Sequence, residues 1–319
     1  MNKIENRKIV LIGTGFVGMS MAYSLLTQRG IDELVLIDVN KEKAEGEAMD
    51  LSHGLPYAAN SKMVIKSGDY KECADASIIV ITAGAAQKQG QTRLELTAVN
   101  TQIMKGIAQE IKKSGFNGVI VVASNPVDVM TYVVQKVTQL PTQQVFGSGT
   151  MLDSARLRYM IGKYLDVNPN NVHGYIMGEH GDSSFISWTN TYIGAKGLLT
   201  FLDEQGKGLE DLLAIYDEVR NAAYEIIEKK QATYYGIGLS LNRLVAAILN
   251  NEDLIISVSA YQNGEYGQNG LYIGVPAVVS RNGIRDILKL PLNKIDQCKF
   301  NQSCDNIQKI IKEIVTPLL

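Results

Sequence analysis

Three cysteines are all that the 319 residues contain, and Cys73, Cys298 and Cys304 include no C-x-x-C pair. An odd number without that spacing argues against a disulfide framework and suits a reducing cytosol, with buried, inert thiols expected. Histidine is equally scarce: His53, His173 and His180 are the only ones, and no His/Cys/carboxylate cluster has the spacing of a zinc site. Charge of either sign is not in excess, with 31 basic against 33 acidic residues, which leaves no electrostatic footprint for nucleic acid or an acidic membrane. No apolar stretch approaches the roughly 20 residues a bilayer span requires. The opening MNKIENRKIVLIG lacks the apolar core and small-residue cleavage site of a secretory leader. The expected location is the cytoplasm.

What is present is an ordinary globular balance, 45% hydrophobic and 20% charged, with enough chain for one large domain or two lobes. The N-terminal half alternates short β-branched runs, KIVLIG, ELVLIDV, MVIKSG, ASIIVITAG, GVIVVASNP and QVFGSG, with longer amphipathic segments. Continuous apolar strands separated by helices predict a parallel sheet covered on both faces, a doubly wound α/β domain over residues 1–148. From 149 to 319 the pattern predicts an α+β domain. Its elements are a helix over 153–164, alternating strands over 172–192, helices over 209–228 and 233–249, a strand-rich segment and a terminal helix over 304–314. Asn263-Gly264 and Asn282-Gly283 mark hairpin turns in the strand-rich segment. No low-complexity linker intervenes, so the two lobes are expected to be tightly apposed, with a ligand cleft between them.

The first strand runs into Gly13-Thr14-Gly15-Phe16-Val17-Gly18, then a helical pattern, then a second strand ending at Asp38. G-x-G-x-x-G alone is a weak signal, but strand, glycines, helix and a later acid in this order fit a dinucleotide site. Gly13 permits the tight turn, Gly15 lets the backbone approach a pyrophosphate, and Gly18 allows close helix packing. The helix N-terminus supplies N–H donors. Asp38 would accept from the ribose hydroxyls and repel a 2′-phosphate, so the cofactor is expected to be NAD rather than NADP.

A nicotinamide leaves the protein to place a substrate, manage one proton and stabilise charge. Candidates fall in three segments: QKQGQTR (87–93), LDSAR (152–156) and GEHGD (178–182). His180, wedged between an acid and a glycine, reads as a catalytic group or a turn residue once zinc spacing is absent. Asp153 and Arg156 lie three apart on an expected helix and share a face. An aspartate can fix a histidine's tautomer and an arginine can grip a carboxylate bidentately, although a surface ion pair would look the same.

Taken together, GTGFVG, LIDVNKEKAEGEAMDLSH, ITAGAAQKQGQTRLEL, SNPVDV, GTMLDSARLR, GEHGDS, ATYYGIG and YIGVPAVVSRNGI resemble the L-lactate dehydrogenases of bacteria, from about residue 7 to the final helix. The resemblance implies that His180 is the acid/base between pyruvate and L-lactate, that Asp153 holds and charges it, and that Arg156 binds the substrate carboxylate. Arg93, on a loop starting near Ala85, would polarise the carbonyl. Asn125 would hydrogen-bond near the nicotinamide and the reacting oxygen, with Thr233 and Ile237 lining the site. The NAD set would include Phe16, Val17, Ala83, Gly84 and Ser124 beside the glycines and Asp38. Malate dehydrogenase, the nearest rival, typically carries arginine where this chain has the neutral Gln87, which favours pyruvate over oxaloacetate. Gln89 and Gln91 depart from the proline and glutamate of many bacterial relatives. Arg158 and His173 match a fructose 1,6-bisphosphate site at a subunit interface, and a homotetramer is implied. A Rossmann-type NAD-sensing regulator would want a basic DNA-reading segment, which is absent, and a structural protein would tolerate loss of His180, Asp153, Arg156 and Arg93, all of which are present.

Overall fold

The computed structural model describes residues 7–85 and 93–319. Strands β1 (Lys8–Ile12), β2 (Glu33–Ile37), β3 (Val64–Ser67), β4 (Ile78–Ile81), β5 (Val119–Val122) and β6 (Val145–Gly147) are accompanied by helices α1 (Phe16–Leu25), α2 (Lys41–Gly54), α3 (Arg93–Ser114) and α4 (Val127–Thr138). All five pairings among these strands are parallel. Their spatial order, β3-β2-β1-β4-β5-β6, is that of a dinucleotide-binding fold. Every residue of β1, β4 and β5 is buried. Helices on both faces remove the polar alternation, which is why these strands read as apolar runs, with Lys8 at the start of β1 the one charged residue among them. The order reverses between β1 and β4, and the crevice at their carboxyl ends holds the segments that follow each strand.

The chain continues through α5 (Met151–Leu165) and five two-residue strands: β7 (Val172–His173), β8 (Ile176–Met177), β9 (Phe185–Ile186), β10 (Tyr192–Ile193) and β11 (Lys196–Gly197). Then come α6 (Leu198–Glu204), α7 (Leu209–Lys230), α8 (Tyr235–Asn250), β12 (Leu254–Asn263), β13 (Asn269–Ser280), β14 (Gly283–Ile287) and α9 (Lys294–Ile310). The second half does not build a separate main sheet. β12 pairs antiparallel with β6 at Ser259 and Gly147, so β12, β13 and β14 extend the parallel sheet to nine strands. Gly147 permits this approach, since a Cβ there would stand 2.9 Å from Ser259 Cβ and 2.5 Å from Thr131 Oγ1. A smaller apolar cluster around Leu157, Ile161, Val172, Leu198 and Leu212 supports α5 from its far side.

Three local expectations shift. Asn282-Gly283 does mark a turn, but Gly283 already pairs with Ser280, so the two connecting residues are Arg281 and Asn282. Beyond Asn263-Gly264 the connection is longer, with a short 3-10 turn at Glu265–Gly267. The terminal helix begins at Lys294 rather than at 304, because Asn293 Oδ1 accepts from Asp296 N at 2.9 Å and caps it. Cys73 and Cys304 are buried as expected, whereas Cys298 is exposed, on the outward side of α9. Among the described residues no helix is long and apolar enough to cross a membrane.

Candidate active site

The glycine-rich turn has the shape its spacing implies. Gly13 adopts φ +106°, and a Cβ on it would collide with the main chain of Ala83 at 2.5 Å. A Cβ on Gly18 would lie 2.1 Å from Gly13 O, so α1 packs directly against the turn. Gly15 faces open space, and no side chain caps the N-terminus of α1. Its first-turn N–H groups are therefore available to an anion. Asp38 follows β2 with both carboxylate oxygens engaged: Oδ2 accepts from Thr14 N at 2.7 Å and Thr14 Oγ1 at 3.0 Å, and Oδ1 from Asn40 N at 3.0 Å. Burial acts to raise its pKa, but the Asn40 and Thr14 hydrogen bonds and nearby Lys43 prevail and hold it below its ordinary value. A charged acceptor beside an uncapped helix N-terminus and a glycine-shaped turn fits NAD, whose ribose hydroxyls Asp38 would accept and whose pyrophosphate the Gly15 backbone would admit.

The neighbouring loops are tied together by a residue that sequence reasoning passed over. Asn100, 2% exposed, accepts from Ala85 N at 2.8 Å and donates to Asn125 O at 2.8 Å. Ser124 Oγ donates to Ala83 O at 2.5 Å. Ala83, Gly84, Ser124 and Asn125 thus belong to one joined rim. Phe16 is exposed and its ring stacks on Tyr234 at 5.2 Å. Val17 and Ile237 pack against the core, where the first turn of α8 meets α1 so closely that a Cβ on Gly238 would lie 2.7 Å from Ser20 Cβ.

His180 follows β8 on a segment fixed by backbone. Gly178, at φ +97°, exchanges two hydrogen bonds with Gly274 of β13, at 2.9 and 3.0 Å. Any side chain at Gly274 would strike Gly178 O. The next residues are then aimed at α5, where Asp153 Oδ2 meets His180 Nδ1 at 2.7 Å and Asp153 Oδ1 accepts from Arg156 Nη1 at 2.9 Å. The aspartate on the ring is therefore Asp153 of a distant segment, not Asp182. On the main-chain side, His180 N donates to Asp128 Oδ2 at 2.9 Å. Asp128 lay within the quoted SNPVDV motif, but a charge two residues into a helix gave no signal of a partner 52 positions away.

Burial disfavours a charged imidazole at His180, yet the Asp153 carboxylate, aided by Asp128, outweighs it and the opposing Arg156, so the pKa stands above its ordinary value. Burial likewise acts to raise Asp153, but His180 and Arg156 hold it lowered. A proton is thus shared toward the histidine over an anionic aspartate. The His180 side chain keeps 31% exposure, and with Nδ1 occupied the accessible nitrogen is Nε2. It opens on a cleft of about 540 Å³ whose walls come from both halves: Leu96, Asn125 and Pro126 on one side, Asp153, Arg156, Val219 and Tyr224 on the other. The α7 wall, including Arg220 and Ala223, carried no motif by which the sequence marked it.

Arg158 opens elsewhere. It lines a separate hollow of about 400 Å³ with His173, Asn170 and Arg243, on the side of α5 away from Arg156. Thr233 is half-buried in the segment between α7 and α8 and is not among the residues lining the His180 cleft. His53 closes α2 in its last turn. Gln87, Gln89 and Gln91 lie outside the described residues. Arg93 is placed only as the first residue of α3, and its side chain also lies outside them.

A nucleotide crevice at the switch point of a 3-2-1-4-5-6 sheet, adjoined by an aspartate-held histidine and an arginine, defines an oxidoreductase that works with a nicotinamide dinucleotide. Residues 7–147 match the model of the lactate/malate dehydrogenase NAD binding domain, and 150–317 that of the lactate/malate dehydrogenase alpha/beta C-terminal domain. The chain is 53% identical to L-lactate dehydrogenase 2 of Bacillus cereus strain ATCC 10987, over the full length of both. It is 50% identical to an L-lactate dehydrogenase of Lactococcus lactis subsp. cremoris, over 98% of this chain and 99% of the relative. Among solved structures, a lactate dehydrogenase from a deep-sea metagenome library superposes with a TM-score of 0.94 at 50% identity, over 97% of this chain and 99% of that one. The ligand-bound minor L-lactate dehydrogenase of Enterococcus mundtii gives 0.94 at 47%, over 97% and 98%. This chain belongs to the lactate/malate dehydrogenase family and is an NAD-dependent oxidoreductase.

Proposed function

We propose that the chain interconverts pyruvate and L-lactate. The observation that carries this reading is the run of contacts from Arg156 through Asp153 to His180, opening on the same cleft as Asn125. NAD, when bound, exchanges hydride with the substrate carbon. The rest falls to side chains. His180 gives the proton on Nε2 to the carbonyl oxygen during reduction and takes it from the hydroxyl in the reverse direction. Asp153 fixes the ring and stabilises the charged form, Arg156 holds the substrate carboxylate, and Asn125 hydrogen-bonds beside the nicotinamide. Arg93 polarises the carbonyl, a role that rests on its place in the QTR segment. Thr233 and Ile237 are assigned to the walls on the resemblance alone, since neither lines the His180 cleft in this structure. In this reading residues 1–148 hold the cofactor and lend Gln87, Arg93 and Asn125 to the substrate, and 149–319 form the catalytic/substrate domain.

The neutral Gln87 sets the preference for pyruvate, since it leaves the second carboxylate of oxaloacetate without a counter-charge. NADH oxidation measured with pyruvate, oxaloacetate and longer 2-oxo acids tests the whole reading. Pyruvate should be preferred, and a preference for oxaloacetate would replace it with malate dehydrogenase. Gln87→Arg should then move preference toward oxaloacetate.

We also propose that fructose 1,6-bisphosphate binds at Arg158 and His173, doubled across a two-fold axis of a homotetramer. The shared hollow of these two residues with Arg243 supports this, because a bisphosphate requires clustered cations. Titration at subsaturating pyruvate should lower the apparent KM, and light scattering should report the tetramer. No change in either would sink the effector reading.

A further inference from the structure

Asp128 is 2% exposed, deeper than the side chains of His180, Asp153 and Arg156, at 31%, 17% and 14%. A carboxylate taken so far from water is costly unless its oxygens are bonded. Both are, and each bond reaches into the other half of the molecule. Oδ2 accepts from His180 N at 2.9 Å and Oδ1 from Ser259 Oγ at 2.5 Å. Ser259 is the residue at which β12 joins β6. Asp128 itself stands in the first turn of α4, where the helix dipole favours an anion, three residues after Asn125.

We infer that Asp128 is a positioning residue for His180: it fixes the main chain bearing the imidazole to the helix that also sets Asn125, and places a second negative charge behind the ring. The inference rests on assigning proton transfer to His180. One buried carboxylate then couples the nicotinamide side of the cleft to the proton donor, and displacement of such a group by about 1 Å is worth about a hundredfold in rate. The charged and titratable groups facing this arrangement are Glu179 beside His180, Asp153 and Arg156 from α5, and Cys304 from α9. From β12 the Ser259 hydroxyl donates to Asp128 Oδ1. Burial pushes the Asp128 carboxyl up to about 6, against the bonds from Ser259 and His180, so it is anionic above that pH and neutralises below it.

The test uses Asp128→Asn and Ser259→Ala in the full chain. Asparagine keeps the size and one acceptor for His180 N–H, and removes the charge. With only three histidines, the His180 imidazole can be followed by nitrogen NMR without substrate. In Asp128→Asn its pKa should fall, and kcat for pyruvate should drop about tenfold with KM changed less than about threefold. Ser259→Ala should move both readouts the same way by less, and decides alone if Asp128→Asn does not fold. An unmoved His180 titration overturns the inference, including when turnover falls, since that pattern marks a general packing defect. Failure of the unaltered chain to reduce pyruvate would instead remove the proposed activity, and leaves the titration readable.

Discussion

The parallel sheet and the His180 segment are held by opposite means. In β1, β4 and β5 every side chain is buried and all but Lys8 are apolar, and cohesion comes mainly from area removed from water, about 25 cal/mol per Å². Around His180 the strands are two residues long, and cohesion comes from directed polar contacts. Thr150 Oγ1 donates to Ile176 O at 2.6 Å, Ser257 Oγ to the same oxygen at 2.9 Å, and Ser154 Oγ accepts from Ile176 N at 2.9 Å. Glu179 N donates to Ser303 Oγ at 2.7 Å. Hydrophobic burial tolerates small shifts, whereas a hydrogen bond fixes distance and direction. The region that must aim a proton is built from the second kind of contact.

The contrast predicts that changes near His180 cost chemistry and changes in the sheet cost stability. Largest should be His180→Gln, lowering kcat about a thousandfold; an effect under tenfold would deny His180 the proton-transfer role. Next, Asp153→Asn should lower kcat about a hundredfold and reshape the pH profile. Pyruvate reduction needs protonated His180, so it declines as pH rises through that pKa. Because Asp153 raises the pKa, its loss should move the decline to lower pH, and a shift to higher pH would contradict the assigned sign. The same linkage makes the pair's contribution to stability greatest below the unfolded histidine pKa and lost as pH rises through the folded one.

Arg156→Lys should act mainly on binding, raising pyruvate KM some tens of fold because lysine lacks the two-pronged fork. Arg93→Gln should act mainly on kcat, and equal effects of both on KM alone would erase that division. Asp38→Ala should weaken NADH binding about tenfold, read by fluorescence titration, while narrowing the gap to NADPH. Smallest for function is Ile79→Val in β4: about 1 kcal/mol of stability by denaturant unfolding, with kcat and KM unchanged. A catalytic loss there would blur the contrast between the two regions.

How much was legible follows the same line. The six apolar runs, the glycine turn and Asp38 are local signals, each readable within a few residues because period, turn chemistry and spacing are properties of the chain itself. Asp153 and Arg156 were readable as a pair because a helix puts positions three apart on one face. Asn100, Asp128 and Ser259 were not, since their partners lie 25, 52 and 131 positions away and nothing in a short window distinguishes them from ordinary polar residues. The start of α9 was missed for a related reason. Of its first ten residues only Asp296, Phe300 and Ser303 are buried, an apolar pattern too sparse to read, and the Asn293 cap marks where they begin.

By itself, then, the sequence determined the strand–helix alternation, the nucleotide turn, the scarcity of histidine that singled out His180, and the helix face shared by Asp153 and Arg156. The tertiary structure decided that β12 would continue the parallel sheet through Gly147 and that Asp128 would bond the His180 main chain. Local order arises from torsional preference and hydrophobic period, which each segment carries alone. The directed contacts between distant polar groups exist only after burial has brought their segments together.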